Sequence, residues 1–404
     1  MNHTITTMDV NYTLADNSPS ARFLSNISID HSNTTAVSSM DNMTVFPSTE
    51  DPMSASLQTY ADRVVVAVFI FLISLTNITG NSLVVLAVVF SKKLRTSTNV
   101  FVVSLSVADL LAGLAAPMSS VGLLSAGDEW PWSTEVPCSI AGLLLYISSA
   151  ASLFNLASIA LNRLILIKHP MTLYRSIYTR RNLVINVAVN WLVPICAMSL
   201  PPLFGIGGWG YDEQHHSCSD LDTHPKAKTF EMIQTIVSYP IPLVIIVTSY
   251  IMIFVHVRRH FKKQKAMHSG ISDTAPTGAT SSSNSSFVVV EDATAAKSAH
   301  MDRINRQQLQ ITKNLFMAVC AFFVCITPYC VALFIPNNDR FLLFGGLLFF
   351  CNSIVNPIIY GAKHPQFKKV MRRLIKCQYS QIEEPSNALK ALMAHSKRSV
   401  GKPT

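Results

Sequence analysis

A chain of 404 residues that is 49% hydrophobic and only 14% charged is too apolar for a water-soluble protein of its size. Its net charge of +9 is divided among alternate gaps between apolar runs, so it does not form the single basic patch of a nucleic-acid binder. With no metal cluster, no nucleophile beside a base and no phosphate-binding glycine loop in the sequence, the chain is not expected to be an enzyme.

Residues 1–60 are polar and rich in Ser, Thr and Asn, which predicts a disordered tail. They carry five Asn-x-Ser/Thr acceptors, at Asn2, Asn11, Asn26, Asn33 and Asn42. No basic start followed by an apolar core marks a cleavable signal there. Seven apolar runs then follow within residues 61–362, at about 64–90, 98–124, 138–167, 182–204, 229–257, 311–335 and 341–361, each long enough to cross a bilayer. Lys92, Lys93 and Arg95, then Lys168, Arg175, Arg180 and Arg181, then the loop 258–310 and the C-terminal segment hold most of the basic residues. The positive-inside rule therefore predicts an N-terminus outside the cell and a C-terminus in the cytoplasm. Of the eight cysteines only Cys138 and Cys218 fall in outside segments, which reads as one disulfide in an oxidising compartment.

Inside the runs a few polar residues stand out. Asp109, among Leu105, Val107, Ala108, Leu110 and Leu111, must be protonated, paired or bound to a cation. The third run has no charge between Ile140 and Leu161, and its Ser148, Ser152, Asn155 and Asn162 share one helical face that looks toward other helices. Arg163, at its end, is costly in a membrane unless it snorkels, pairs or faces water, and so marks a working site. Asn77-Ile78-Thr79 also matches the glycosylation pattern, but within an apolar run it must be structural. Beyond the seventh run, residues 363–377 place Phe367, Val370, Met371 and Leu374 on one face and basic residues on the other, the pattern of a helix in the membrane interface. Cys377 is a candidate for palmitoylation, and 378–404 is expected to be a disordered cytoplasmic tail. The fold class is thus an all-α membrane protein, a seven-transmembrane helix bundle with a C-terminal amphipathic interfacial helix.

Gly80-Asn81, Leu105-x-x-x-Asp109, Cys138, Asn162-Arg163, Trp191, Pro242 with Tyr250, Cys325-x-x-Pro328 and Asn356-Pro357-Ile358-Ile359-Tyr360 stand in order on these runs. Together they resemble the rhodopsin-like, class A family of G-protein-coupled receptors. Asn162-Arg163 and the segment 174–179 also resemble melatonin-receptor-like and insect Moody-like orphan receptors. The resemblance implies that Asp109, Ser152, Asn352 and Ser353, near Asn81, form a buried sodium site with Asp109 as the metal ligand. Arg163 would meet the G protein once the sixth helix swings out, with Tyr250 and Tyr360 closing over it. Leu153, Pro242 and Phe322 would link the ligand pocket to that swing, with Asn356-Pro357 part of the same switch. No cofactor is implied beyond a possible allosteric sodium ion. The partners are a heterotrimeric G protein, arrestin and receptor kinases, and an extracellular small molecule, lipid or peptide.

The sequence departs from that pattern in three places. Asn162 replaces the usual acidic residue before Arg163, and Gln307 and Gln308 stand where the sixth helix often supplies a carboxylate. Loss of both restraints predicts ligand-free signalling. Ile326 replaces the usual tryptophan between Cys325 and Pro328. Pocket candidates are Leu145, Tyr146, Ser149, Gln234, Ser238, Ile326, Tyr329 and Leu333, an apolar lining with neutral polar groups. Leu145 leaves a monoamine without a counter-ion on the third helix, and the seventh run has no lysine for retinal. The reading is a multi-pass plasma-membrane receptor that converts ligand binding into G-protein activation. The alternatives are a non-signalling decoy receptor, kept open by Ile326, and a transporter, opposed by the lack of an inverted repeat.

Overall fold

The computed structural model describes residues 59–125, 129–170, 172–272, 310–332, 335 and 339–400, with side chains in those ranges apart from 260–272, 339 and 395–400. The five glycosylation candidates, Leu333, Gln307 and Gln308 lie outside the described residues. Among the described residues, seven helices are long and apolar enough to cross a membrane. They are α1 (Tyr60–Phe90), α2 (Ser97–Leu123), α3 (Val136–Lys168), α4 (Arg180–Leu203), α5 (Ala227–Ser238 continuing as Pro240–Ser272), α6 (Gln310–Ala332) and α7 (Asp339–Lys363).

Helices α1, α2 and α4 start where side chains can satisfy their first N–H groups. At α1 a capping box joins Thr59 and Asp62. Asp62 also takes both nitrogens of Arg340, at 3.0 and 3.2 Å, tying the start of α1 to that of α7. Thr96 and Thr179 cap α2 and α4. Close approach between helices requires glycine at two points. A Cβ at Gly80 would meet Pro357 at 2.9 Å, and one at Gly113 would meet the Asn77 amide at 2.6 Å. α3 is the central helix, and most of its inward residues are buried, from Cys138 to Leu164.

The chain between α4 and α5 is not a plain loop. It forms an antiparallel hairpin, β1 (Trp209–Asp212) and β2 (Ser217–Asp220), in which Tyr211 faces Cys218. The predicted Cys138–Cys218 disulfide fastens β2 to the start of α3. Gly142, one turn on, lets the Cys218 backbone settle against α3; a Cβ there would meet it at 3.1 Å.

Two differences from the sequence reading lie after α7. Helix α8 (Pro365–Ile375) forms where the amphipathic pattern predicts one, but Phe367, Val370, Met371 and Leu374 are buried in the protein's own core beside Tyr360. Its apolar stripe is covered by the bundle, and Ile375 is the large apolar side chain left exposed. The following segment is not a disordered tail as expected. A helical turn at Tyr379–Gln381 leads to a bridge between Pro385 and Ser91, and then to α9 (Asn387–Val400). Lys92 N–H donates to Glu384 O at 2.9 Å and Ser386 N–H to Phe90 O at 2.9 Å, so the short link between α1 and α2 supplies the partners. Leu389 is fully buried, which the expectation of a disordered tail did not anticipate.

Candidate functional site

A column of polar side chains runs down the bundle beside α3. At mid-depth Asp109 is 2% exposed, and its two oxygens accept from Ser152 Oγ at 3.1 Å and Asn356 Nδ2 at 2.9 Å. Its backbone carbonyl accepts from Asn77 Nδ2 at 2.7 Å, which is the structural duty expected of that asparagine. Asn81 Nδ2 joins Asn77 to the Ser353 carbonyl of α7 at 3.0 Å. Four helices thus meet at Asp109, two of them, α3 and α7, donating to its carboxylate and α1 to its backbone carbonyl.

Beside it lies a cavity of about 20 Å³, bordered by Asp109, Ser148, Ser152, Asn352 and Ser353. That is room for one water-sized occupant. Ser148 Oγ is fully buried there and has no hydrogen-bond partner among the described residues. A carboxylate, hydroxyls and an amide form an oxygen-rich set of the kind a small hard cation accepts. The residues fit the sodium ion that the sequence suggests, with Ser148 as an added candidate. Leu145 and Ser149, expected in the ligand pocket, border this same cavity from above. Ser149 Oγ is satisfied by the Leu145 carbonyl of its own helix.

Toward the arginine end, Asn155, Ser158, Asn186 and Asn190 link α3 to α4 through side-chain hydrogen bonds. Trp191 Nε1 donates to Ser104 Oγ on α2 at 3.0 Å. Arg163 is 5% exposed, within electrostatic reach of Tyr174, Tyr250 and Tyr360. Asn162 is held by Thr98 Oγ1 at 2.6 Å and by Tyr174 OH at 3.5 Å. The Tyr250 and Tyr360 hydroxyls are buried without a hydrogen-bond partner among the described residues. Leu153, Phe322 and Ile326 share one apolar cluster, and Pro242 is buried nearby in the chain on α5. His364 caps α8 through Nδ1, which accepts from Phe367 N–H at 3.4 Å. Burial and the positive charge of Arg163 push His364 down to about 4, so at neutral pH it is the neutral imidazole that such a cap needs.

At the hairpin end, rings form a wall: Tyr146 against Trp209 at 4.9 Å and Trp209 against Phe230 at 5.4 Å. One turn beyond Phe230, Gln234 Nε2 and Ser238 Oγ are buried without hydrogen-bond partners among the described residues. Tyr329 packs on Phe349 at 5.4 Å. The expectation of a neutral lining needs correction here, because Asp220 of β2 lies within hydrogen-bonding and electrostatic reach of Tyr146, with Tyr329 beside it. Burial pushes the Asp220 carboxyl up to about 6, with the Tyr146 hydrogen bond pulling the other way, so it is largely ionised at pH 7.4. A residue two places after a cysteine gave no periodic signal in the sequence, because it lies in a hairpin and enters the bundle only through the disulfide.

Seven spanning helices gathered on a buried arginine and a buried carboxylate define a class of membrane receptors. The family model for the 7 transmembrane receptor (rhodopsin family) matches residues 80–360, and the chain belongs to that family. It is a non-enzymatic, multi-pass plasma-membrane receptor. It is 28% identical to the G-protein coupled receptor moody of Drosophila melanogaster, over 84% of this chain and 54% of that protein. It is 26% identical to melatonin receptor type 1B-B of Danio rerio, over 80% of this chain and 84% of that one. The chain spans about half the length of the moody proteins it matches. Squid rhodopsin shares the fold, with a TM-score of 0.63 at 18% identity, covering 88% of this chain and 96% of that chain.

Proposed function

We propose that the protein binds a ligand outside the cell at the hairpin end and activates a heterotrimeric G protein at the arginine end. The observation that carries this reading is that the hydroxyls of Tyr250 and Tyr360, around a nearly buried Arg163, are buried without a hydrogen-bond partner among the described residues. Buried polar groups without partners are costly, so a second arrangement in which they gain partners lies close in free energy. Arg163 is the group that would receive the G protein, and Leu153, Pro242 and Phe322 would relay the pocket's state to it. The loop carboxylate Asp220 supplies the negative group that Leu145 denies to α3, so a ligand with a cationic or hydrogen-bond-donating end fits the pocket. Gln234 and Ser238 offer that ligand a second polar anchor.

Asn162 is committed to Thr98 and Tyr174, which supports the idea that it does not restrain Arg163 as an acidic residue would. Ligand-free signalling follows. The test is to express the wild type, Arg163→Ala and Asn162→Asp at matched surface levels and read a panel of G-protein activation sensors. The expected result is basal activity in the wild type that both substitutions lower. A silent wild type would remove the basal-activity reading, and activity that survives in Arg163→Ala would remove the assigned role of the arginine. Asp109 with Ser148 and Ser152 would hold sodium as a brake on the same switch. Arrestin and receptor kinases as further partners, glycans on the N-terminal segment and an acyl chain on Cys377 complete the proposal.

A further inference from the structure

The hairpin carries a second cluster of chemistry that the receptor reading does not use. Asp212 at the end of β1, His215 in the turn and Asp222 just beyond β2 each present one ligand atom, and these atoms lie within 4.8 Å of one another. The arrangement follows from the turn. His216 adopts a positive φ of 48°, which curls Glu213–His216 back so that His215 Nδ1 stands 2.5 Å from Asp212 Oδ2. Asp212 is 6% exposed, and its other oxygen accepts from Gln214 N–H at 3.0 Å, which leaves Oδ2 directed at the histidine. Asp222 Oδ2 completes the triangle, 4.0 Å from the same ring nitrogen. The neighbouring histidines have other duties: His216 Nδ1 bonds to Tyr211 OH at 2.8 Å, and His224 Nδ1 accepts from Gly207 and Lys226 N–H.

We propose that Asp212, His215 and Asp222 bind a zinc ion. Zinc takes imidazole nitrogen at about 2.0–2.1 Å and carboxylate oxygen at about 2.0–2.2 Å, so ligand atoms in a tetrahedral site stand roughly 3.4 Å apart. The distances of 2.5 and 4.0 Å straddle that separation, and a movement of under about 1 Å in each arm closes the site around an ion. One nitrogen and two carboxylates suit zinc better than calcium or magnesium, which prefer oxygen alone. A fourth position is left for water. The bland alternative is an Asp212–His215 hydrogen bond with Asp222 merely near it. Zinc differs in consequence: it would fasten Asp222, and the segment Leu221–Lys226 that leads into α5, to the hairpin lying over Tyr146 and Asp220.

The test needs neither ligand nor G protein, so its outcome is separate from that of the signalling reading. The full chain in lipid nanodiscs is titrated with zinc chloride against a fluorescent chelator, and its thermal unfolding is followed with and without the metal. The expected result is one micromolar or tighter zinc ion per receptor, an upward shift in Tm, and no displacement by millimolar calcium or magnesium. His215→Ala and Asp222→Asn should each weaken that binding by at least about tenfold. Asp222 is the half-exposed member of the set, so Asp222→Asn leaves the hairpin folded even if a change at Asp212 does not. Zinc binding that is absent in the wild type, or equal in the wild type and both variants, overturns the proposal. The second outcome would assign the metal to other groups, the free cysteines among them.

Discussion

The two ends of α3 are held in opposite ways. At the hairpin end Cys138 is cross-linked to Cys218, Gly142 admits the hairpin backbone at van der Waals contact, and an unbroken run of rings joins α3 to the loop and α5. At the arginine end no covalent link joins the described helices, and the Tyr250 and Tyr360 hydroxyls are buried without hydrogen-bond partners among the described residues. Between them Asp109 is fully engaged by α1, α3 and α7 through side-chain and backbone bonds. The contrast teaches where the molecule is built to stay and where it is built to rearrange. With the hairpin end cross-linked and the Asp109 carboxylate bonded from two neighbouring helices, the arginine end, which has no cross-link among the described residues, is the place where two arrangements compete most closely in free energy.

The largest blow to the contrast is to free the fixed end. Cys138→Ser opens a link that spans 80 residues of sequence, which the loop-closure argument values at about 4 kcal/mol. Surface expression and thermal stability in detergent should both fall sharply, and unchanged stability would show that packing alone holds the hairpin. The next effect concerns His364 and depends on pH. Its pKa is held down from 6.5 to about 4 in the folded state, so the unfolded chain binds the extra proton between those values. Stability from this group is full above about pH 6.5 and is lost as pH falls toward 4, by up to about 3 kcal/mol. His364→Asn keeps a capping oxygen but cannot titrate; its melting temperature should lose less between pH 7 and about 5 than that of the wild type.

A smaller effect should follow Gly142→Ala, whose Cβ must push the Cys218 backbone from 3.1 Å, at a cost of roughly 1–2 kcal/mol. Receptor carrying it should melt earlier, and more loosely packed hairpin amides should exchange faster with deuterium. The smallest effect has the opposite sign. Tyr250→Phe and Tyr360→Phe each remove a buried orphan hydroxyl, so stability should stay level or rise by about 1 kcal/mol while signalling falls. A loss of stability with signalling intact would mean that the hydroxyls serve this state and not another.

Much of this was legible in the sequence because a bilayer makes demands that show in one dimension. Seven apolar runs, the lone Asp109 and the terminal Arg163 stand out since lipid tolerates neither charge nor unpaired backbone. What stayed hidden depends on chain segments that lipid does not discipline. Asp220 enters the pocket only because a disulfide draws β2 across the bundle. The Asp212, His215 and Asp222 cluster exists only through a turn with one left-handed residue. The helical turn, the bridge at Pro385 and the helix that follow α8 have no strong period of their own and are shaped by the link between α1 and α2. Leu145 and Ser149 border the Asp109 cavity, a depth the sequence does not reveal, since helical position fixes a face and not the space beside it.

The segment after α8 is attached by two kinds of bond that answer differently to the surrounding solution. Glu383 sits between Lys369 and Lys93, whose hydrogen bonds, and after them their charges, hold its carboxyl down to about 2, and all three are substantially exposed. Beside that triad run the two backbone bonds from Lys92 and Ser386, one on each side of Pro385. Added salt screens the exposed charges within a Debye length of about 8 Å at physiological strength and about 3 Å at 1 M, but leaves backbone bonds nearly untouched. Concentrated salt therefore weakens the electrostatic latch without breaking the bridge at Pro385, and the segment stays docked on the first link by its backbone bonds.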